Sequence, residues 1–152
     1  MIKVKSAEIG DIQDVIAVGH EFWKETPVFN QYPWDLDETI MFLNHIIANE
    51  DGCVYIAYKD LDPVGLVIGE VSKFYFSKAR FLKDLFIYIL PAARGSMAAY
   101  LLMKEYLKFG KKKDVEDIFF QVSAGIDNDK SLSFLKKFGF NEISYGLILE
   151  KQ

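Results

Sequence analysis

Three β-branched and aromatic runs follow one another in the middle of the chain, at residues 53–58, 64–71 and 81–90. The first two are separated by residues 60–63, Asp-Leu-Asp-Pro, a composition typical of turns. Strands joined by so short a turn pair as an antiparallel hairpin. The third run stops at Pro91, which has no N–H for a strand ladder. The middle of the chain therefore predicts consecutive antiparallel strands.

Apolar spacing on both sides of these strands predicts the remaining elements. Helices are predicted at 12–23 behind Asp11, at 36–47 behind Asp35 and Glu38 in capping-box spacing, at 98–109 closed by Gly110, and at 129–138 closed by Gly139; short strands are predicted at 2–5, 118–122 and 145–149. This order, βααβββαβαβ, predicts an α/β (α+β) fold with a mixed, mostly antiparallel central sheet and helices on both faces. Because no repeat or linker interrupts it, we expect residues 1–152 to form a single domain.

The 152 residues include 18 Lys and Arg against 22 Asp and Glu, a net charge of −4. This balance argues against a nucleic-acid partner, although residues 111–113 are all lysine. One cysteine, Cys53, excludes an internal disulfide, and with two histidines we predict no metal site. Neither a signal-peptide pattern nor an apolar run of membrane length occurs, so we expect a cytoplasmic protein without a membrane partner.

The junction at residues 90–99, L-P-A-A-R-G-S-M-A-A, places a basic residue, a glycine and small residues where a strand gives way to a helix. The first N–H groups of a helix lack internal partners, and the helix dipole adds positive potential, so a phosphate fits there. A tight turn whose small residues serve only for packing would have the same sequence. The junction alone leaves both interpretations open.

A second motif, at residues 128–140, is N-D-K-S-L-S-F-L-K-K-F-G-F. The two motifs together resemble those of the GNAT superfamily of acyl-CoA N-acyltransferases, R-G-x-G-x-[GA] followed by N-x-x-[AS]-x-x-F-Y-x-K-x-G-F. The opening K-S-A-E-I-G-D-I-Q-D-V and the order of elements are also similar to that family. The resemblance covers nearly all of the chain.

The resemblance implies acetyl-CoA as cosubstrate, held largely by backbone groups. It places the pyrophosphate in a cradle at the first motif, the pantetheine arm along the preceding strand in a V-shaped gap beside residues 118–122, and two side chains of the second motif near that arm. The implied cofactor-binding residues are Arg94, Gly95, Ser96, Met97, Ala98 and Ala99 in the cradle, Ile87, Ile89 and Leu90 on the strand, and Asn128 and Ser131 in the second motif.

Two residues depart from the family pattern. Met97 stands at a cradle position that the family usually fills with glycine, where backbone approaches phosphate. Leu135 stands where the family often has a tyrosine that protonates the departing CoA thiolate. Because a thiol of pKa near 8.5 is a tolerable leaving group, transfer does not require that acid, and water or Tyr100 is a substitute.

An acceptor amine of pKa near 10 must lose a proton before it attacks a thioester. Phe86 occupies the position at which the family often carries glutamate, and Asp84, two residues earlier, is expected on the same face of the strand. Asp84 is the first candidate catalytic base and Glu70 the second. A solvated aspartate beside Lys83 is an equally good interpretation of Asp84.

The resemblance thus implies an acetyl-CoA-dependent N-acetyltransferase acting on a primary amine, small-molecule or peptide, by direct attack in a ternary complex. Cys53, in an apolar strand, is interpreted as a buried hydrophobe rather than a nucleophile. The alternative is a catalytically inactive GNAT-fold protein that senses acyl-CoA or binds a partner. Aromatic residues at 29–34 and 74–76 wall an acceptor pocket, pack in the core or form the surface of a homodimer.

Overall fold

The computed structural model of the chain describes residues 1–144 and 146–149. Two short 3-10 turns, Ile9–Asp11 and Pro91–Ala93, precede the first and third helices. The elements in chain order are β1 (Ile2–Ser6), α1 (Ile12–Glu25), α2 (Leu36–Ala48), β2 (Gly52–Lys59), β3 (Asp62–Lys73), β4 (Arg80–Ile89), α3 (Ala98–Lys112), β5 (Asp117–Phe119) and α4 (Asn128–Lys137).

The five strands form one sheet in the order β1-β2-β3-β4-β5. The first three pairings are antiparallel, as expected for strands joined by short turns, and the β2–β3 hairpin turns at Asp60 and Leu61. Only β4 and β5 pair in parallel, because α3 carries the chain back between them. The predicted mixed, mostly antiparallel sheet is therefore confirmed.

Two apolar clusters cover the two faces of the sheet. Strand residues alternate between the faces, so Leu66 and Ile68 pack against α1 and α2, whereas Val67 and Leu82 pack against α3. Leu135 brings α4 to the α3 side. Helices thus lie on both faces, as predicted. Among the helices that the structure describes, none is long and apolar enough to cross a membrane.

One predicted helix end was wrong, whereas α1 begins directly behind Asp11 as predicted. Gly110 does not end α3, which runs on to Lys112. Glycine is needed there for close packing, since a Cβ atom would lie 2.7 Å from Ile118 Cδ1. Asp11 does not cap α1 with its side chain, which instead accepts the Glu8 N–H at 2.8 Å and closes the preceding 3-10 turn.

The second half of the chain has less strand than predicted. β5 ends at Phe119 rather than at Val122, because the chain beyond it diverges from β4. Of the predicted strand 145–149, Tyr145 lies outside the described residues and 146–149 form no strand. Leu147 and Leu149 are almost fully exposed. With neither a ladder partner nor apolar burial, the alternating pattern at these positions does not form a strand.

Candidate active site

A cavity of about 440 Å³ opens where β4 and β5 part. The two strands pair only from Phe81 to Lys83 against Asp117 to Phe119. Beyond that point residues 84–89 form one wall of the cavity and residues 120–124 the other. The cavity continues to the start of α3 and to α4. Short parallel pairing followed by divergence therefore creates a cleft through the edge of the sheet.

Asp84 lies at the fork of this cleft. Its Oδ1 accepts a hydrogen bond from the Gln121 N–H at 2.8 Å, and the residue is 7% exposed. Burial removes water from the carboxylate and raises its pKa to about 7, while the Gln121 N–H offsets part of that rise. A carboxyl group poised near neutral pH in a cleft is suited to exchange protons with a substrate.

A β-bulge decides which way Asp84 faces. Ile68 pairs with Phe86 but Gly69 pairs with Asp84, so Leu85 is an extra residue in β4. The expectation that Asp84 and Phe86 share a face was therefore wrong. Phe86 stacks on Phe22 of α1. Gly69, the cross-strand partner of Asp84, instead faces Tyr106 of α3, since a Cβ atom at Gly69 would lie 2.6 Å from that ring. Asp84 and Phe86 both border the cleft because it passes through the sheet edge.

The residues before α3 are those that the sequence predicted as a pyrophosphate cradle. Gly95 has a φ of 85°, a left-handed conformation that glycine adopts without strain, and open space surrounds its Cα. The Ser96 hydroxyl accepts the Ala98 N–H at 3.2 Å, and the Ser96 N–H donates to the Ala93 carbonyl at 3.3 Å. Ala99 and Tyr100 follow in the first turn, where helix N–H groups have no intrahelical acceptor.

The residues predicted from the sequence to bind the cofactor fall into two groups, according to whether they line the cavity. Ile87, Ile89, Arg94, Gly95, Ser96, Ala99, Asn128 and Ser131 line the cavity, whereas Leu90, Met97 and Ala98 do not. Met97 immediately precedes α3 and is 54% exposed, so its side chain lies outside the cleft. A small-residue turn, a helix N-terminus and an adjoining cleft together fit a diphosphate with a long arm.

Arg94 makes its side-chain contacts with α1. Its guanidinium donates to Glu25 Oε1 at 2.9 Å and to Oε2 at 2.7 Å, and its Nε–H donates to the Ile89 carbonyl at 3.1 Å. The Tyr88 hydroxyl also donates to Glu25 Oε2, at 2.5 Å. The guanidinium and the hydroxyl lower the pKa of Glu25. Glu25 thus ties the cradle to the end of α1, a role that its position in the sequence did not indicate.

The α1 side of the cleft is aromatic. Phe22 stacks on Phe86 with ring centroids 4.5 Å apart, and both line the cavity with Phe29. The buried Thr26 hydroxyl donates to the Ala124 carbonyl and joins the end of α1 to the far wall. For Phe29 the sequence left an acceptor-pocket wall, core packing and a dimer surface open, and the sequence analysis did not single out Phe22.

Three further positions considered for proton transfer, Glu70, Leu135 and Tyr100, lie in different surroundings. Glu70 does not line the cavity and pairs with Lys83 at 3.4 Å. Leu135 is buried at the cavity wall and has no proton to donate. Tyr100, 45% exposed, lines the cavity at the start of α3. Among the described residues, no group of three or more His, Cys, Asp or Glu side chains is placed to hold a metal ion.

Comparison with known proteins identifies the family. A family model described as the acetyltransferase (GNAT) family matches residues 15–140, most of the chain. The chain belongs to the GNAT acetyltransferase family. A search of curated proteins finds no match to this GNAT chain.

Solved structures share the GNAT fold at low sequence identity. Aminoglycoside acetyltransferase AAC(6')-Iy, bound to a bisubstrate analogue of CoA, is 15% identical with a TM-score of 0.80, covering 100% of this chain and 99% of that one. AAC(6')-Ih from Acinetobacter baumannii is 16% identical with a TM-score of 0.78, at 100% and 99% coverage. A transcriptional regulator from Bacillus halodurans C-125 is 13% identical with a TM-score of 0.81, at 99% and 100% coverage. At such identities the likeness establishes the fold.

Proposed function

We propose that this single GNAT domain is an acetyl-CoA-dependent N-acetyltransferase that acts on a primary amine, small-molecule or peptide. The observation that carries the proposal is the position of Asp84, a buried carboxyl with a pKa of about 7 at the fork of the cleft. The residues before α3 and the aromatic rings of Phe22, Phe29 and Phe86 line the same cavity as Asp84. Acetyl-CoA supplies the acetyl group as a thioester.

In this proposal the cradle binds the diphosphate. Gly95 and the first amides of α3 donate backbone hydrogen bonds, and the α3 dipole and Lys130 of the cavity lining add positive potential, while Arg94 is paired with Glu25. Ile87 and Ile89 of β4, with Asn128 and Ser131 of α4, border the path of the pantetheine arm. The adenine end is assigned to no residue.

Asp84 acts as the base. It removes a proton from the acceptor ammonium, directly or through one water molecule, and the neutral amine then attacks the thioester carbonyl in a ternary complex. The new C–N bond replaces the C–S bond, and the second proton of the attacking nitrogen passes to the leaving thiolate through water or Tyr100. Cys53 takes no part, because burial raises the pKa of its thiol to about 12.

A titration of thermal stability with acetyl-CoA, followed by an assay of CoA release with primary amines, tests the proposal. A saturable rise in Tm together with amine-dependent CoA release supports it. A ligand at 100 times its Kd stabilises a protein by about 2.7 kcal/mol, which amounts to several degrees for a domain of this size. Absence of binding at millimolar acetyl-CoA would refute it.

One observation favours a second candidate function. Leu135 closes the cavity wall at the position where the family often has its acid. A GNAT-fold protein that binds acyl-CoA without turnover, as a sensor or interaction partner, is consistent with this apolar substitution. Binding of acetyl-CoA without CoA release from any amine would favour that candidate over the transferase.

A further inference from the structure

A second cavity, also about 440 Å³, lies beneath α1 and α2 on the sheet. Its inner part is aliphatic and its mouth is aromatic. The aliphatic lining residues are Val15, Ile16, Leu43, Leu66 and Ile68, and the aromatic ones include Trp23, Phe29, Trp34 and Phe42. Most of the aliphatic residues are buried, whereas Phe29 and Phe42 are exposed. The cavity therefore offers an apolar interior reached from an aromatic rim.

This second cavity adjoins the candidate active site. Phe22, Phe29 and Phe86 line both cavities. Phe22 and Phe86 are stacked with an interplanar angle of 3°, and this pair of rings borders both spaces. An acceptor whose amine lies in the first cavity can therefore extend past these shared aromatic residues into the second cavity.

The aromatic rim is held in place by contacts of its own. The Trp23 Nε1–H donates to the Tyr32 carbonyl at 2.9 Å, which fastens the loop after α1 over the helix. The His20 ring packs against Trp23 at 5.5 Å and Trp34 at 4.9 Å between centroids. Such a pre-arranged apolar site binds without first ordering its own side chains.

The scarcity of charged side chains in the second cavity limits how polar its occupant can be. Among its lining residues the one charged side chain is Glu38, which is exposed at the mouth. Glu25, the carboxylate on the α1 side of the active site, is already paired with Arg94. An acceptor with several ammonium and hydroxyl groups would leave them without partners here, at a cost in free energy.

We propose that the acceptor is a primary amine bearing an apolar group, aromatic or branched alkyl, and that the second cavity holds that group. The inference rests on the proposed N-acetyltransferase function and specifies its acceptor class. Its energetic basis is removal of the apolar group from water against aliphatic and aromatic walls. The amine itself remains in the first cavity, where Asp84 takes its proton.

Both tryptophans of the chain, Trp23 and Trp34, line the second cavity, so intrinsic fluorescence reports its occupation. The probe is 2-phenylethylamine, compared with neamine and tetramethylammonium, in the presence and absence of CoA. Gly19→Leu places a side chain into the cavity from α1, since no atom lies within 4 Å of the added Cβ. Leucine also favours helix more than glycine, so this variant keeps the fold.

Gly10→Leu is the matched control, because the space beside its Cα is equally open but Gly10 lines neither cavity. We expect a saturable fluorescence change with 2-phenylethylamine that Gly19→Leu weakens about tenfold or more and Gly10→Leu leaves unchanged. The ratio of kcat/KM for 2-phenylethylamine to that for methylamine should fall similarly in Gly19→Leu alone. The inference is overturned if neamine or tetramethylammonium gives an equal fluorescence change. It is also overturned if Gly19→Leu binds 2-phenylethylamine as tightly as the unchanged protein does.

The two proposals fail separately. If no amine releases CoA, the N-acetyltransferase function is refuted, yet binding of 2-phenylethylamine that depends on Gly19 still supports the cavity as a site for apolar amines. If CoA is released most efficiently with polycationic amines, the transferase stands and the inferred acceptor class is wrong.

Discussion

The Asp84 carboxylate accepts the Gln121 N–H at 2.8 Å, and Asp84 directly follows Lys83, the last residue of β4 that pairs with β5. The side chain thus replaces the next rung of the parallel ladder. It ends the pairing of β4 with β5 and sits at the opening of the cleft that this ending creates. One hydrogen bond therefore links the architecture of the sheet edge to the candidate chemistry.

Asp84→Asn should reduce kcat/KM for amine acetylation about 100-fold or more, because the amide cannot take a proton. In the unchanged protein, kcat/KM should rise with pH and level off above an apparent pKa of about 7, the value that burial gives this carboxyl. Steady-state kinetics from pH 5 to 9 measure both effects. Glu70→Gln is the comparison: it removes the other candidate base, which lies outside the cavity, and we expect a small effect. A larger loss in Glu70→Gln would reverse the assignment.

The same carboxyl predicts a pH dependence of stability. Its pKa is raised from 3.8 to about 7 in the folded chain, so its favourable contribution is complete below the unfolded pKa and is lost as pH rises through the folded pKa. Relative to Asp84→Asn, the free energy of unfolding should fall by about 1.4 kcal/mol per pH unit between these values and be constant above them. Urea unfolding at several pH values tests this. A difference that does not vary with pH would contradict the raised pKa.

Gly95→Ala should weaken acetyl-CoA binding and lower stability by about 1 kcal/mol, because alanine resists the φ of 85°. This loss of stability comes from backbone strain rather than from a steric clash, since the new Cβ would meet no atom within 4 Å. Met97→Gly should change acetyl-CoA affinity less than about threefold, as its side chain already lies outside the cleft. Titration calorimetry on both variants provides the measurement. A large gain in affinity in Met97→Gly would mean that the methionine obstructs the cradle.

Glu25→Gln should raise the KM for acetyl-CoA more than it lowers kcat, because the two-pronged contact with Arg94 positions the cradle. We also expect Tm to fall by about 3 °C at neutral pH. The pKa of Glu25 is lowered in the fold, so this difference should disappear as pH falls through that lowered value. Glu21→Gln, which breaks the exposed Glu21–Lys24 pair on the same helix, is the control and should change neither quantity.

Cys53→Ala should retain full turnover and cost about 1 kcal/mol of stability. The thiol is buried against the α3 side of the sheet, and its pKa of about 12 leaves it protonated and unreactive. Activity assays with and without a thiol-alkylating reagent measure this. Loss of turnover in a folded Cys53→Ala protein would exclude direct transfer to the amine.

The sequence by itself determined the layers, the antiparallel strand pairing and the position of the turn before α3. Alternating apolar residues require a sheet with two covered faces, and short turns require antiparallel neighbours. Gly95 and Gly139 mark helix boundaries because glycine readily adopts the left-handed conformation found there, and both have positive φ in the structure. These are properties of neighbouring residues, so they can be predicted without knowledge of distant contacts.

Only the tertiary structure decided how the site is put together. The bulge at Leu85 turns Asp84 away from the face of Phe86, and the Gln121 N–H that it binds lies 37 positions along the chain. Glu25 reaches Arg94 across 69 positions, and the Phe22–Phe86 stack borders two cavities formed by several elements. Register, strand divergence and cavity shape depend on which distant surfaces meet. A local pattern of residue types carries no information about that.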